Sequence, residues 1–586
     1  LGHQPMHSKG GRYVIVFNGE IYNYREIRSE LGDETVFLGD SDTEVLLAAI
    51  ERWGIKEAIK KANGMYAIAL WDKKARTLSL IRDRFGQKPL YYGFCGPLFT
   101  FASELKAFKE VPSWDATINR KSLLAFFRHG YIPEPNSIWT GINKVQPGTI
   151  VTINTDSLVN NSKIESEKYW DINDLLIQKK PVNESFDAVV DDLNDLLRDA
   201  VGKCMISDVP LGAFLSGGID SSLIVALMQE QSLSKVNTFS IGFSETSYNE
   251  AHYALSVSRH LCTNHHELYV SPSDAQAVIP KLPQIYDEPF SDSSQIPTYL
   301  LSQFAKSEVT VSLSGDGGDE LFAGYNRYIW AMRLNTIIRG IPASVRRGLT
   351  KGLSSIPTTF WDSALNILPK QICPPQPGDK IHKIAQIIDA PHMEDVYRRL
   401  ASIWVEPSTI VIDVPSYSDP VDEINHWRPE SDLITNMMAH DIAVYLPGDI
   451  LAKVDRASMS MSLETRAPLL DHRVAEFAAL LSNDHRVDGQ GGKRALRSVV
   501  KRYVPNNLID RPKMGFGVPI GFWLRTELRD WAESLMDEYR LREESFLSPA
   551  TVNQIWEEHL SGRRNWQHRL WSILMFQAWL DEWCQT

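Results

Sequence analysis

The amino-acid sequence predicts an α+β sheet domain followed by a doubly wound parallel α/β domain that ends in a mostly helical part. Three observations carry this. Short β-branched and aromatic runs broken by turn residues fill residues 12–107, apolar strands alternate with helical segments from Phe186 onward, and a polar stretch rich in Asn, Ser and Pro lies between them at 152–185. A chain of 586 residues is too long for one hydrophobic core, so two or three domains are expected.

In the first region the runs YVIVF, TVFL, YAIALW, LSLIR, LYYGF and LFTFAS read as strands, with a helical stretch over Asp42–Trp53. In the second, Phe186, Val189, Val190, Leu193, Leu196, Leu197 and Ala200 recur at helical spacing and give a helix with one apolar face. The apolar run LGAFL, a Gly-rich turn and the helical SSLIVALMQE come next, and VNTFSIGF and VTVSLSG follow as strands. Strands alternating with helices imply a parallel sheet covered on both faces. The last third, with IWEEHL and RLWSILMFQAWLDEW, reads as helical. The expected division is a first domain at 1–165, a linker at 166–185 and a second domain at 186–586.

Composition narrows the function class. With 43% hydrophobic and 23% charged residues, and no run near the roughly 18 apolar residues of a membrane span, the chain reads as soluble. A formal net charge of -12 argues against a nucleic-acid partner, which favours clustered Lys and Arg. Five scattered cysteines, Cys95, Cys204, Cys262, Cys373 and Cys584, form no C-x-x-C pair, so neither a zinc site nor a disulfide framework is indicated and a reducing cytoplasm is expected.

The segment Leu215 to Ser222, LSGGIDSS, lies between an apolar strand and a helix, where a nucleotide binds. Amides freed by Gly217 and Gly218, the hydroxyls of Ser216, Ser221 and Ser222, and the helix N-terminus can together hold a polyanion. Asp220 would repel phosphate unless a cation bridges them, which assigns it to Mg²⁺. Absence of GK[ST] excludes a Walker A loop. As a bare string, the segment has a flexible turn as its lesser alternative. A second cluster, SGDGGDE at 314–320, follows another apolar strand, so its acids fall at the carboxyl edge of the same sheet. There Asp319 can supply a second Mg²⁺ ligand, and Gly315 allows close approach to the nucleotide. A solvated acidic turn is the plainer alternative.

SGGIDSS, TFSIGF, SGDGGDELFAGY and KVDRASMSMSLETRAPLLDH, in that order, resemble the synthetase domain of the asparagine synthetase family, an N-type ATP pyrophosphatase fold. The resemblance implies cleavage of ATP to AMP and pyrophosphate, with a substrate carboxylate converted to an acyl-adenylate. It implies that Leu215, Ile241, Ser314 and Gly315 line adenine and ribose, that Ser216 to Ser222 hold the pyrophosphate, and that Asp220 and Asp319 are magnesium ligands. Tyr325 falls close to the intermediate. Asp316 matches an acid that deprotonates or positions the attacking ammonia. For the cation at the α-phosphate, the family's lysine aligns with Arg456, a change of type, and Lys453 stands beside it; the assignment is split between the two.

Near the start, Asn18 offers a side-chain amide and Gly19 an unshielded backbone N–H, two donors of the kind an oxyanion hole needs. Glu20 and Asp42 are carboxylates able to grip an α-ammonium. Taken alone, Asn18-Gly19 reads first as a hairpin turn. GHQPM, GRYVIVFNGEIYNY, GDSDTE, NGMYAIALWD and RDRFGQKPLYY resemble the class II glutamine amidotransferase domain that precedes the synthetase in the same family, an Ntn-hydrolase-type α+β sandwich. In that domain the nucleophile is an N-terminal cysteine whose own α-amino group is the base. The chain opens at Leu1, so either its N-terminal end is missing or the protein uses free ammonia; the first is the expectation, because the sequence begins inside a motif.

The resemblance thus implies aspartate, glutamine or ammonia, and ATP as small-molecule substrates, with asparagine, glutamate, AMP and pyrophosphate as products. A homodimer is the family expectation. Two alternatives remain: a relative that amidates a sugar or other metabolite carboxylate, and a non-catalytic nucleotide-binding relative.

Overall fold

The strands of the first region are β1 (Met6–His7), β2 (Tyr13–Ile21), β3 (Gly64–Asp72), β4 (Thr77–Arg82), β5 (Tyr91–Cys95), β6 (Leu98–Ala102), β7 (Ile142–Lys144), β8 (Thr149–Asn154) and β9 (Glu165–Lys168). The structure, a computed structural model, describes residues 2–154, 164–178, 185–243, 249–365, 377–414, 419, 421, 427–428, 431–510 and 517–584. An antiparallel sheet runs β1-β2-β3-β4-β8-β9, and a smaller one runs β6-β5-β7. Alternation along β3 divides its side chains: Tyr66, Ile68 and Leu70 pack with Leu46, Ile50 and Ile59 of the covering helices, whereas Ala67 and Ala69 turn to the cluster that includes Leu90, Tyr92 and Phe99. The result is an α+β sandwich, as expected.

One expected strand is absent. The run TVFL is irregular, with Val36 and Leu38 exposed by 61% and 80%. Its β-branched composition finds no ladder because the Leu38 and Gly39 N–H groups donate instead to the Glu44 carboxylate, at 2.7 and 2.9 Å, in the first turn of the helix Asp42–Trp53.

The second region carries β10 (Leu211–Phe214), β11 (Asn237–Phe243), β12 (Asn264–Val270), β13 (Val311–Leu313) and β14 (Glu464–Arg466), all parallel, in the order β12-β11-β10-β13-β14. Helices Phe186–Cys204 and Ile219–Gln231 share one core with Ala213, Val311 and Leu313. Helix Gln295–Lys306 packs with Phe239 and Ile241 in another, so both faces are covered. From β10 the chain winds outward through β11 and β12, then returns to place β13 on the opposite side. The carboxyl ends of β10 and β13 therefore flank the point where strand order reverses, the usual ligand crevice of such sheets.

Of residues 166–185, the first three belong to β9, Ile172–Gln178 is a helix packed on His472–Leu480, and 179–184 lie outside the described residues. Helices Asn326–Arg339, Ala343–Ser355, Thr358–Leu365, Pro377–Ile387 and Met393–Ala401 follow the second acidic loop. The C-terminal helix Gln567–Cys584 buries Trp571, Phe576 and Trp579 in a core shared with Phe126 and Phe127 of the first region, and Phe127 meets Phe576 edge-on at 5.9 Å. No helix among the described residues is long and apolar enough to cross a membrane.

Candidate active site

The loops after β10 and β13 open into one cavity of about 980 Å³, a size suited to a nucleotide with a second small substrate. Leu215, Ser216, Gly218, Asp220 and Ser221 line it from the first loop, and Ser314, Gly315, Asp316 and Asp319 from the second; Ile241 joins from β11. The first loop is held by its own hydroxyls: Ser216 and Ser221 lie 3.0 Å apart, and the Gly218 N–H donates to Ser216 Oγ at 3.2 Å. Gly217 takes φ +74°, a left-handed turn that side chains disfavour, and a Cβ on Gly315 would fall 2.8 Å from Asp220 Cβ. The two glycine-rich loops therefore interlock. Ser222 is wholly buried under the loop and does not face the cavity, so the structure does not bring it to the phosphate site as the sequence suggested.

Asp220 and Asp319 converge on a residue the sequence analysis did not single out. Lys493 donates its Nζ to Asp220 and lies 2.7 Å from Asp319. Burial alone would lower the ammonium's pKa, but the two carboxylates, Asp220 foremost, outweigh it and hold Lys493 charged. Lys493 itself sits at φ +59°, a conformation costing about 1–3 kcal/mol outside glycine and tolerated where surrounding structure enforces it. Here the Lys493 N–H donates to the Phe322 carbonyl at 2.9 Å, just beyond the acidic loop. Two carboxylates brought to one point beside a phosphate loop suit Mg²⁺, which takes one or two protein carboxylates and fills its shell with water and phosphate oxygens.

Deeper in the cavity, Lys453 donates to Asp292 at 2.7 Å, and Asp292 also accepts from the Ser294 hydroxyl and N–H at 2.7 and 2.9 Å. Although burial alone would raise the Asp292 pKa, Lys453 and these donors hold it well below the usual range. Asp316 moves the other way: burial raises its carboxyl above the ordinary value, against the lowering pull of Ser314 and Lys453. Tyr325 lines the cavity with its hydroxyl on Glu320 and its ring against Tyr445, 5.8 Å away. Arg456 is not in this cavity. It lies one helical turn past Lys453 and points at the first region, where it pairs with Glu104 at 3.2 Å and donates to the Ser103 carbonyl at 3.0 Å. Of the two expected cations only Lys453 faces the nucleotide site.

In the first region Asn18 and Gly19 lie near the carboxyl end of β2, opposite Ala67 and Tyr66 of β3. Asn18 Nδ2 donates to Ser103 Oγ at 3.1 Å. Glu20 is only 25% exposed and 3.5 Å from Arg466; burial pushes its carboxyl up to about 7, with Arg466 opposing and Asp42, Glu464 and Asp208 adding to the rise. Asp42 accepts from the Ile21 N–H at 2.9 Å, tying the end of β2 to the helix Asp42–Trp53, and burial raises its pKa as well.

These two sites can be set against known proteins. The asparagine synthase family model matches residues 192–581, more than half of the chain. The chain belongs to this family. A glutamine amidotransferase domain model matches residues 1–170. The glutamine-hydrolyzing asparagine synthetase 1 of Bacillus subtilis is 33% identical over 582 residues, covering 99% of this chain and 87% of that protein. Asparagine synthetase 3 of the same organism is 27% identical over 535 residues, covering 87% of this chain and 77% of that protein.

Membership makes ATP the nucleotide and ligation the reaction class. For Lys493 the sequence held one signal. Gly491-Gly492-Lys493 opens the helix Arg494–Val500, the arrangement of a phosphate-binding turn. A Cβ on Gly492 would meet the Ala323 carbonyl at 1.9 Å, so the glycine lets this turn dock on the second acidic loop.

Proposed function

We propose that this chain forms asparagine from aspartate, ATP and glutamine through a β-aspartyl-adenylate. The observation that carries the reading is the joining of the two glycine-rich loops around one cavity at the sheet's switch point, with Asp220, Lys493 and Asp319 between them. The aspartate side-chain carboxylate attacks the α-phosphorus of ATP, the bond to the bridging oxygen breaks, and pyrophosphate leaves. Ammonia then attacks the acyl carbon, AMP departs, and the surplus proton passes to Asp316, whose raised pKa makes it a better base than an ordinary carboxylate. Lys493 is the cation set to receive charge on the phosphates, and Lys453, braced by Asp292, is the second. Asp220 and Asp319 would hold Mg²⁺, which when bound neutralises phosphate charge.

Ammonia comes from glutamine in the first region: the N-terminal cysteine that the resemblance implies attacks the side-chain amide, the Asn18 amide and Gly19 N–H receive the oxyanion, ammonia leaves and water releases glutamate from the acyl-enzyme, while Glu20 grips the α-ammonium. A small pocket lined from both regions, by Tyr91, Tyr131 and Glu134 with Glu288, Asp455 and Arg456, supports an internal route for the released ammonia.

The protein expressed from its complete reading frame, given ATP, Mg²⁺ and aspartate, should yield asparagine, AMP and pyrophosphate in equal amounts with either glutamine or ammonium. Pyrophosphate release that does not depend on aspartate would transfer the activity to another carboxylate.

Glu20 gives this reading a pH signature. A carboxyl titrating near 7 is charged above that value and neutral below it, so its hold on the glutamine ammonium should fade as pH drops. The KM for glutamine should rise by up to about tenfold per unit below pH 7 while aspartate-dependent ATP–pyrophosphate exchange, which needs no nitrogen source, does not follow it. Glu20→Gln should show the high KM at every pH. A glutamine KM unchanged between pH 6 and 8 would remove Glu20 from the site.

A further inference from the structure

The second region grips the first at three successive residues. Ser103, Glu104 and Leu105 follow β6: Arg456 donates to the Ser103 carbonyl at 3.0 Å and pairs with Glu104 at 3.2 Å, while the Leu105 N–H donates to the Asp287 carboxylate at 2.8 Å. Asp287 is fully buried, adopts φ +63°, and lies 3.8 Å from Arg456 and 3.3 Å from Lys106. The Asp287 carbonyl is in turn fixed by Trp579 Nε1 at 2.9 Å, from the C-terminal helix. Ser103 is thus positioned from outside its own region, and its hydroxyl is the acceptor for the Asn18 amide at 3.1 Å.

This matters for an amide meant to stabilise charge. An asparagine NH₂ group has two hydrogens; one engaged by Ser103 leaves the second on a fixed bearing. A preorganised donor contributes fully only within about 0.5 Å of its productive place. The Arg456 side chain is 4% exposed and spends its donors on residues 91, 103, 104 and 287, none of which belongs to the nucleotide cavity.

We propose that Arg456 is a positioning residue for glutamine hydrolysis, holding Ser103 and through it the Asn18 amide in the orientation that receives the oxyanion. The inference rests on the assignment of Asn18 to that role. The glutamine site is then assembled only when the two regions are docked, and the residue responsible is carried by the same helix whose Lys453 faces ATP.

The test compares Arg456→Met, Ser103→Ala and Asn18→Ala in the protein from its complete reading frame, measuring glutamine hydrolysis and, on the same preparations, asparagine formation from ammonium. Arg456→Met should lower kcat for glutamine hydrolysis by about 10- to 100-fold with KM nearly constant, and this loss should exceed any loss with ammonium by at least about tenfold. Ser103→Ala should show the same glutamine-specific loss in weaker form with ammonium-dependent synthesis unchanged, and Arg456→Lys should restore part of it. Equal losses with both nitrogen sources, or glutamine hydrolysis unaltered in Arg456→Met, would overturn the proposal. If Arg456→Met does not fold, Ser103→Ala decides alone, and an unaltered glutamine rate overturns it. Asn18→Ala with intact glutamine hydrolysis would instead sink the assignment of Asn18.

Discussion

Asp220→Asn and Asp319→Asn should each bring ATP–pyrophosphate exchange to background while the protein stays folded. Both side chains are about one-fifth exposed, at 19% and 20%, and open to the cavity, so neither is a core residue whose loss collapses the sheet. Asparagine keeps the shape and an oxygen but removes the charge, and a divalent cation is held chiefly by that charge. Each variant leaves the other carboxylate on Lys493, so the buried ammonium keeps a partner and the heavier penalty of an unpaired buried charge is avoided. Calorimetry should find that ATP affinity of both variants no longer depends on Mg²⁺. Substantial exchange in either one, or an unchanged Mg²⁺ dependence of binding, would withdraw the metal assignment from that residue.

What the sequence made legible follows from how local each signal is. The strand-turn-helix units at Leu215 and Ser314 could be read because an apolar run, glycines and a helix start lie within a dozen residues, and both loops face one cavity. The helix Asp42–Trp53 carries its own apolar spacing and matches its expected limits. TVFL failed as a strand because β propensity describes fit to a neighbour, and here the backbone found a carboxylate instead.

Side-chain direction was less accessible. Lys453 and Arg456 stand three residues apart on one helix, close enough that a motif carries both, yet one lines the large cavity and the other pairs with Glu104 of the first region. Which way each points depends on partners far upstream, Asp292 at 161 residues from Lys453 and Glu104 further still from Arg456. Lys493 was harder still: its partners lie at Asp220 and Asp319, and a single lysine after two glycines has no periodicity to betray it. Ser222 shows the reverse error, a hydroxyl in the right string whose position in the first helical turn directs it into the core.

Lys493→Met separates the two tasks this residue could perform. In the free protein it neutralises Asp220 and Asp319, and without it two carboxylates confront one another across the loops, so the variant should melt at a lower temperature in the absence of nucleotide. Mg²⁺ with ATP should restore more of that loss than the same ligands add to the wild type, because the metal supplies the missing positive charge. If neutralising the carboxylates were the whole role, turnover at saturating Mg²⁺ would be close to normal. The position of Lys493 at the junction of both phosphate-facing loops argues for a second role, in which its ammonium meets charge that builds on the phosphates as pyrophosphate leaves. Loss of one preorganised donor to such charge costs about 3–4 kcal/mol, so kcat should fall roughly 10²- to 10³-fold at saturating Mg²⁺, with KM for ATP little changed. The fall should be the same with glutamine and with ammonium, since both share the adenylation step. Lys493→Arg should not recover it, because a planar fork does not fit a point between two carboxylates that a compact ammonium fills. Near-wild-type turnover in Lys493→Met at saturating Mg²⁺, alongside a lowered melting temperature, would leave this lysine with the electrostatic task alone and return the α-phosphate to Lys453.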